Sequence, residues 1–182
     1  FDYSFNRSKP EGFALNVDLC TSEGQVLAMK WLRHPSLVFV WWAPPCGTAS
    51  RAREKPGGPP PLRADDEPHG RQGLTGVNKL RVDKSNILYE LCVKTCSYCL
   101  EHDINFAVEN PLRSLMWSTR WFADLEDKAG VFNVDYHVCM HGGLRKKAQR
   151  LMTNMDALWD LALECDGGHE HLPWVPLEQG RQ

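Results

Sequence analysis

The chain has 182 residues, of which 42% are hydrophobic, so it is long enough for one domain with a hydrophobic core. Its 21 basic and 23 acidic residues nearly balance, which excludes a uniformly basic surface but leaves room for a local basic groove. No run of 18 apolar residues and no signal peptide occur, and the seven cysteines are an odd number. These features predict an intracellular protein, nuclear or cytoplasmic, with reduced thiols and no membrane partner.

The apolar pattern predicts strands that alternate with helices. The predicted strands are residues 13–19, 36–43, 104–110, 131–141 and 149–154, and the predicted helices are residues 22–34, 77–102, 111–125 and 155–163. The run at 36–43 is typical of a strand buried on both faces. Residues 54–76 are rich in proline and glycine and predict a long loop of the kind that is usually functional or disordered. This alternation indicates an α/β domain with a mainly parallel sheet.

The segment PPCGTAS places Cys46 directly after the predicted strand 36–43. Two prolines stiffen the backbone before the thiol, and Gly47 permits close approach of a substrate. Because Arg51 and Arg53 follow, the thiol has the surroundings of a nucleophile. A buried structural cysteine is the alternative interpretation.

The segment AVENP places Glu109 at the end of the next predicted strand. Because the carboxyl ends of parallel strands meet at one edge of a sheet, we expect Cys46 and Glu109 to lie at the same edge. Asn110 is expected to fix the turn by bonding to the backbone. The alternative is a turn that caps a helix opening at Pro111.

These segments resemble the Pro-Cys loop and the Glu-Asn dipeptide of the cytosine-C5 DNA methyltransferases. The segment CMHGGLRKKAQRLMTN, residues 139–154, is similar to a third element of that family, in which an arginine reaches towards the target base. Arg150 is the best match for that arginine, and Lys147 is the second. The interval between Cys46 and Glu109 is longer than in the family, and the proline-rich loop accounts for the excess.

The resemblance implies methyl transfer from S-adenosylmethionine to C5 of cytosine in DNA. Cys46 would add to C6 of a base flipped out of the duplex, and Glu109 would stabilise the charge that develops. Asn110 and Arg150 would support these two catalytic residues. Ser50, Arg51 and Arg53 would contact phosphates, unless the loop that carries them is simply solvated. RNA is an alternative partner, because thiol addition works on any pyrimidine C6.

The resemblance also places the cofactor. Asp2 and Asp18 stand where the family has acidic residues that hold the ribose and the adenine, and Pro44 is the third expected cofactor-binding residue. The family's first strand and its Phe-x-Gly-x-Gly turn would lie before Phe1. We therefore expect a Rossmann-like methyltransferase fold that lacks its first strand.

The expected organisation is a catalytic domain at residues 1–164 and a tail at residues 165–182, in a monomer or as part of a larger multidomain chain. The domain that reads DNA sequence would normally follow residue 154, where only a short tail remains. A second hypothesis is therefore an inactive methyltransferase-like domain that binds nucleic acid or acts as a scaffold.

The segment CVKTCSYC supports a third hypothesis. Cys92, Cys96 and Cys99 have the Cys-x3-Cys-x2-Cys spacing that holds a 4Fe–4S cluster in radical S-adenosylmethionine enzymes. The same spacing is one stripe of an amphipathic helix, and small apolar thiols packed against the sheet are the favoured interpretation.

The segment CDGGHEH brings soft and borderline metal ligands together in the tail. Cys165, His169 and His171 lie within seven residues of one another, and Cys139 lies on a nearby strand end. These four residues predict a tetrahedral Cys2His2 zinc site with a structural role, which would pin the tail to the sheet. The alternative is a polar loop beside an unrelated buried cysteine.

Overall fold

The computed structural model of the chain describes residues 16–173. In that range, helices and strands alternate over most of the chain, which confirms an α/β domain. In chain order the elements are α1 (Ser22–Leu32), β1 (Phe39–Trp42), α2 (Gly76–Glu101), β2 (Asn105–Pro111), α3 (Arg120–Glu126), β3 (Phe132–His137) and β4 (Ala148–Thr153). Short 3₁₀ turns are formed by Arg51–Glu54, Val138–His141 and Asp156–Leu161.

The four strands form one sheet in the order β1-β2-β4-β3. β1 pairs with β2 in parallel, whereas β4 is antiparallel to both β2 and β3. The prediction of a mainly parallel sheet is therefore wrong, and the sheet is mixed. The reason is that residues 138–147 join β3 to β4 without a crossover helix, so the two strands fold back on each other. Only the connection between β1 and β2 contains a long helix, and it produces the parallel pair.

The strand at residues 36–43 is shorter and more exposed than its composition predicts. β1 covers Phe39–Trp42, and the indole of Trp41 is 48% exposed. The prediction of burial on both faces is wrong, because among the strands of residues 16–173 only β2 pairs with β1 and Trp41 stays exposed. The apolar run is explained instead by one face, on which Val40 and Trp42 pack against the core.

The prediction that a helix begins at Pro111 is also wrong. Pro111 is the last residue of β2, opposite Gln149 of β4, and α3 begins only at Arg120 after a series of turns. A proline is tolerated at a strand end because its missing N–H costs no ladder hydrogen bond there. The carbonyl of Pro111 instead accepts from the backbone N–H of Ser114, at 2.9 Å.

The other predicted helices and strands are present with adjusted ends, except the strand predicted at 13–19. α1 begins after Thr21, whose hydroxyl accepts a hydrogen bond from the backbone N–H of Gly24 at 3.1 Å. The strand predicted at 13–19 lies partly outside the described residues, and residues 17–19 lead into α1 without joining the sheet. The strand predicted at 131–141 ends at His137 and continues as a 3₁₀ turn, and the last short helix is 3₁₀ rather than α.

The hydrophobic core lies between one face of the sheet and α2 and α3. Its completely buried members include side chains from both helices and from β2 and β4: Tyr89, Cys92, Cys96, Cys99, Phe106, Val108, Phe122 and Met152. This core fixes the ends of β1 and β2 against α2. Within residues 16–173, no helix is both long and apolar enough to cross a lipid bilayer.

Candidate functional site

One edge of the sheet gathers the residues singled out from the sequence. Because β4 runs opposite to the other three strands, its beginning lies beside the ends of β1, β2 and β3. Cys46 follows β1, Glu109 and Asn110 close β2, and Gln149 opens β4. We call these four residues the strand-end site.

The backbone before Cys46 is held from two sides. The side-chain amide of Asn110 donates to the carbonyl of Pro44 at 2.8 Å, and the Tyr89 hydroxyl donates to the carbonyl of Pro45 at 2.8 Å. The first bond ties the end of β2 to the turn after β1, and the second ties that turn to α2. The Cys46 thiol is half-buried and free. The nucleophile predicted from the sequence therefore stands on a fixed turn.

The backbone after Cys46 is held as well. The N–H of Ala49 donates to the carbonyl of Cys46 at 2.9 Å, which closes the turn, and the carbonyl of Ala49 accepts from the N–H of Leu115 at 2.9 Å. Ala49 and Leu115 are both buried. Immobile backbone on both sides of a thiol reduces the reorganisation that a covalent step requires.

A buried arginine supports the Cys46 turn from beneath. Arg63 is 1% exposed, and its guanidinium donates to the Thr48 hydroxyl at 3.1 Å, the Pro68 carbonyl at 2.6 Å and the Asn86 amide oxygen at 2.8 Å. It also lies 5.1 Å from the centre of the Tyr89 ring. Burial lowers the pKa of Arg63, but an arginine remains protonated even so. One buried cation thus joins the Cys46 turn, the proline-rich loop and α2.

Glu109 is positioned by β4. It lies opposite Leu151, so Gln149, two residues away, is on the same face of the sheet, and the Gln149 amide donates a hydrogen bond to the Glu109 carboxylate. Burial, with a smaller effect of the Glu109 charge, raises the pKa of the nearby Tyr136. Asn110 and Gln149 are both 2% exposed, and their amide oxygens have no hydrogen-bond partner within the described residues.

Arg150 is not brought to Glu109. It lies opposite Asn110 on β4, and strand alternation places its side chain on the other face from Gln149. There it forms a bidentate ion pair with Asp135 of β3, at 2.7 and 2.8 Å. This pairing raises the pKa of Arg150. The side chain adjacent to Glu109 is Gln149 rather than the predicted arginine.

The three predicted phosphate ligands all make local contacts. The Ser50 hydroxyl accepts from the backbone of Ala52, which caps the 3₁₀ turn. Arg51 pairs with Asp65 and donates to Glu54 at 2.9 Å, and these bonds raise its pKa. The guanidinium of Arg53 donates at 2.8 Å to two backbone carbonyls, those of Gly47 and Pro60. The two arginines therefore fold the proline-rich loop back onto the Cys46 turn.

Of the predicted cofactor residues, Asp18 and Pro44 lie in the described range, and both are bonded to the chain itself. Asp2 lies outside the described residues. One Asp18 carboxylate oxygen accepts from the backbone N–H of Cys20 at 2.9 Å and so organises the turn before α1. Pro44 is buried, and its carbonyl is bonded to Asn110.

The cysteines of α2 lie in the core, as their helical spacing predicts. Cys92, Cys96 and Cys99 are each 0% exposed. Burial raises the pKa of Cys99 to about 12, and burial together with the neighbouring Cys96 raises the pKa of Cys92. All three side chains pack as small apolar groups.

A second cluster lies beyond the end of β3. The ligand atoms of Cys139, Cys165, His169 and His171 all lie within 4.8 Å of one another, and these residues could hold a metal ion. The convergence predicted from the sequence is therefore confirmed. The Cys165 sulfur is 3.4 Å from Nε2 of His171 and 4.0 Å from Nε2 of His169. Partial desolvation and the charge of His169 lower the pKa of His171, which favours the neutral imidazole that a metal requires. We call these four residues the Cys/His cluster.

Hydrogen bonds attach the tail of the chain beside this cluster. The N–H of His137 donates to the carbonyl of Leu163, and its ring Nδ1 accepts from the N–H of Cys165, both at 2.9 Å. Further on, the N–H of Leu172 donates to the carbonyl of Leu144 at 2.8 Å. The tail therefore follows the connection between β3 and β4.

Three residues of the site are not identified from the sequence. Arg63 is one of two arginines in the proline-rich loop, and Tyr89 occupies an ordinary position of a predicted helix. Gln149 lies next to Arg150, and only the register of β4 shows which of the two faces Glu109.

Compared with known proteins, the chain matches no protein family, no curated protein and no solved structure.

Proposed function

We propose that the strand-end site binds a cytosine flipped out of DNA and attacks it through Cys46, in the manner of a divergent cytosine-C5 DNA methyltransferase. The observation that carries this proposal is the pairing of a fixed Cys46 turn with Glu109 at the ends of two neighbouring parallel strands, joined by the bond from Asn110 to Pro44. The resemblance of PPCGTAS and VENP to that family adds the reaction class.

The residues present suit the first half of such a reaction. The Cys46 thiolate bonds to C6 of the base, the electron pair of the C5–C6 double bond forms a C4–C5 double bond, and the pair of the C4–N3 double bond moves onto N3. Glu109 gives a proton to N3 and accepts a hydrogen bond from the exocyclic amine. The carboxylate that this leaves on Glu109 is stabilised by the amide of Gln149.

Two unpartnered acceptors support a polar ligand at this edge. Leaving a buried acceptor without a hydrogen bond costs roughly 1–3 kcal/mol, and such groups cluster where proteins bind polar molecules. The amide oxygens of Asn110 and Gln149 are of this kind. Gln149 lies on the same face of the sheet as Glu109, whereas Asn110 lies on the opposite face, beside the Cys46 turn.

S-adenosylmethionine is the methyl donor that the resemblance implies. Asp18 and Pro44 are engaged in local structure, and Asp2 lies outside the described range. When bound, this cofactor supplies an electrophilic methyl group. The chemistry that we assign to the described residues therefore ends at the covalent adduct.

DNA is the partner that we propose, with RNA as the other source of a flipped pyrimidine. An intracellular location belongs to the same proposal, and the seven free cysteines support it, because thiols remain reduced there. We also assign zinc to the Cys/His cluster, as a structural ion that takes no part in the base chemistry.

An inactive nucleic-acid-binding domain is the second candidate. It is favoured over catalysis by the local bonds that engage Asp18 and Pro44, the two predicted cofactor residues in the described range. In this case the Cys46 turn would be a remnant of a methyltransferase site that binds a nucleic-acid base or the phosphate backbone without forming a covalent bond.

Covalent trapping distinguishes the two candidates. A duplex with 5-azacytosine at the target position tests thiol addition alone, because its ring nitrogen activates C6 and takes up a proton in place of the methyl group. A duplex with 5-fluorocytosine tests the complete reaction, because the fluorine blocks release only after methyl transfer. Denaturant-stable adducts are measured by mass spectrometry, with and without S-adenosylmethionine.

We expect wild-type protein and the control Cys20→Ser to form the 5-azacytosine adduct, and Cys46→Ser to form none. Adduct from Cys46→Ser, or none from folded wild-type protein, would contradict the assignment of the nucleophile. A 5-azacytosine adduct without a 5-fluorocytosine adduct would show a competent thiol that lacks a bound methyl donor. No adduct, together with tight binding of the duplex, would support the inactive domain.

A further inference from the structure

We infer that Cys139, Cys165, His169 and His171 bind one Zn²⁺ ion, which clamps the tail of the chain onto the connection between β3 and β4. This inference goes beyond the proposed base chemistry and does not depend on it, because the cluster shares no residue with the strand-end site.

The spacing of the ligand atoms fits a tetrahedral ion. Zinc lies about 2.3 Å from thiolate sulfur and about 2.0–2.1 Å from imidazole nitrogen, so the edges of its tetrahedron are roughly 3.3–3.8 Å long. The distances from the Cys165 sulfur to the two imidazoles, 3.4 and 4.0 Å, are close to these edges. The other pairs lie within 4.8 Å, so shifts of about one ångström would complete the site.

The donor set indicates the metal. Two thiols and two imidazoles are soft and borderline ligands, which suit zinc and exclude the oxygen-preferring Mg²⁺ and Ca²⁺. Four protein ligands fill a tetrahedral shell and leave no position for water or substrate. A site of this composition is structural, and the stabilisation that it provides is the free energy of metal binding.

The backbone near Cys139 is shaped for ligation. Cys139 lies in the 3₁₀ turn Val138–His141, which ends at Gly142 in the left-handed region, with φ +85°. A side chain on Gly143 would meet Cγ1 of Val138 at 2.5 Å, so this position requires glycine. The turn therefore doubles back tightly and aims the Cys139 sulfur at the tail.

The cluster joins segments that are otherwise attached by few bonds. The tail contributes three of the four ligands, and three backbone N–H groups fasten it, by bonds from Cys165 to His137, from His137 to Leu163 and from Leu172 to Leu144. Residues 162–170 are without helix or strand, and most of them are exposed. A tail with so little buried surface gains its order from the ion rather than from packing.

Metal binding by the purified chain tests this inference. The protein is stripped with a chelator under reducing conditions, titrated with Zn²⁺ alone, and titrated in parallel with Co²⁺ alone, whose visible spectrum reports tetrahedral thiolate ligation. The variants are Cys165→Ser and His171→Ala. The matched controls are Cys20→Ser and His34→Ala, which change a thiol and an imidazole outside the cluster.

We expect one zinc ion per chain for the wild type and both controls, and affinity reduced by at least about tenfold for both cluster variants. Zinc should raise the thermal midpoint of the wild type and protect residues 161–173 from proteolysis. Less than one ion per wild-type chain, or unchanged affinity in Cys165→Ser, would overturn the site. Stoichiometric zinc without protection of the tail would overturn the clamp.

Two outcomes separate this inference from the base chemistry. If Cys165→Ser does not fold, His171→Ala and the cobalt spectrum of the wild type still decide the ligation. Adduct formation at Cys46 is measured on the same zinc-loaded protein, so a missing adduct with one bound zinc refutes only the proposed reaction.

Discussion

The strand-end site and the Cys/His cluster lie at the same edge of the sheet but are held in opposite ways. The strand-end site rests on the core. Asn110, Gln149 and the supporting Arg63 are almost completely buried, and each donates hydrogen bonds to a backbone carbonyl or to another side chain. The cluster lies beyond β3 in a largely exposed tail, and the side chains that define it are its own ligands. Burial therefore preorganises the first site without a ligand, whereas the second depends on an ion for its cohesion.

The largest expected effect on the strand-end site, with the Cys/His cluster left intact, is that of Arg63→Ala. This change removes a buried cation, leaves Thr48, Pro68 and Asn86 without their partner, and opens a cavity under the Cys46 turn. We expect a loss of about 3 kcal/mol in the free energy of unfolding, measured by urea denaturation. Zinc stoichiometry at the remote cluster should stay at one per chain.

Arg71→Ala is the matched control for this experiment. Arg71 lies in the same loop but is exposed, and its guanidinium is 4.0 Å from the Glu67 carboxylate. Its removal should change the free energy of unfolding by less than about 0.5 kcal/mol. Equal effects of the two substitutions would show that Arg63 does not support the site.

A smaller effect is expected from Gln149→Leu. This near-isosteric change removes the donor to the Glu109 carboxylate but keeps the volume of the side chain. We expect a loss of about 1.5 kcal/mol in stability and about tenfold slower adduct formation at Cys46, because the charge left on Glu109 is no longer stabilised. Gln25→Leu, at a half-buried position on α1, controls for the loss of an amide. An unchanged rate of adduct formation would remove Gln149 from the site.

The smallest effect concerns the pH dependence of the proline-rich loop. Burial, together with the charges of Arg120 and Arg63, lowers the pKa of His69 from its ordinary value of 6.5. The imidazole Nε2 accepts from the backbone N–H of Arg120 at 3.2 Å, and the ring packs edge-on against Trp121. The folded state therefore holds His69 neutral.

Because the unfolded chain takes up this proton first, the contribution of His69 to stability is complete above pH 6.5. It is lost as the pH falls from there towards the folded pKa, at a slope of at most about 1.4 kcal/mol per pH unit. His69→Gln should flatten the difference between stability at pH 7.5 and at pH 5.5. Parallel pH curves for wild type and variant would contradict the assignment.

Local patterns were sufficient to predict much of this molecule. The turn after β1, the Glu-Asn pair at the end of β2 and the helical stripe of cysteines on α2 each depend on neighbouring residues, and the structure contains all three features. The convergence of Cys139 with the tail was also predictable, because thiol and imidazole ligands at short spacing have few other uses.

The errors come from interactions between distant segments. The direction of β4 depends on the short connection to β3, and this direction makes the sheet mixed. The register of β4 decides that Gln149, not Arg150, faces Glu109, and a shift of one residue would reverse them. The burial of Arg63 depends on Pro68 and on α2, so nothing in its own segment separates it from exposed arginines.

The outer edge of β1 has a consequence for the protein in solution. Its four residues carry no charge and no proline, and Val38 and Trp41 beside it are 73% and 48% exposed. Natural edge strands usually avoid such a combination, because it invites pairing with a strand of another chain. At the opposite edge, the tail lies along the end of β3. No further strand of residues 16–173 pairs with the outer edge of β1. We therefore expect a chain limited to these residues to self-associate with increasing concentration, and Trp41→Lys to improve its solubility.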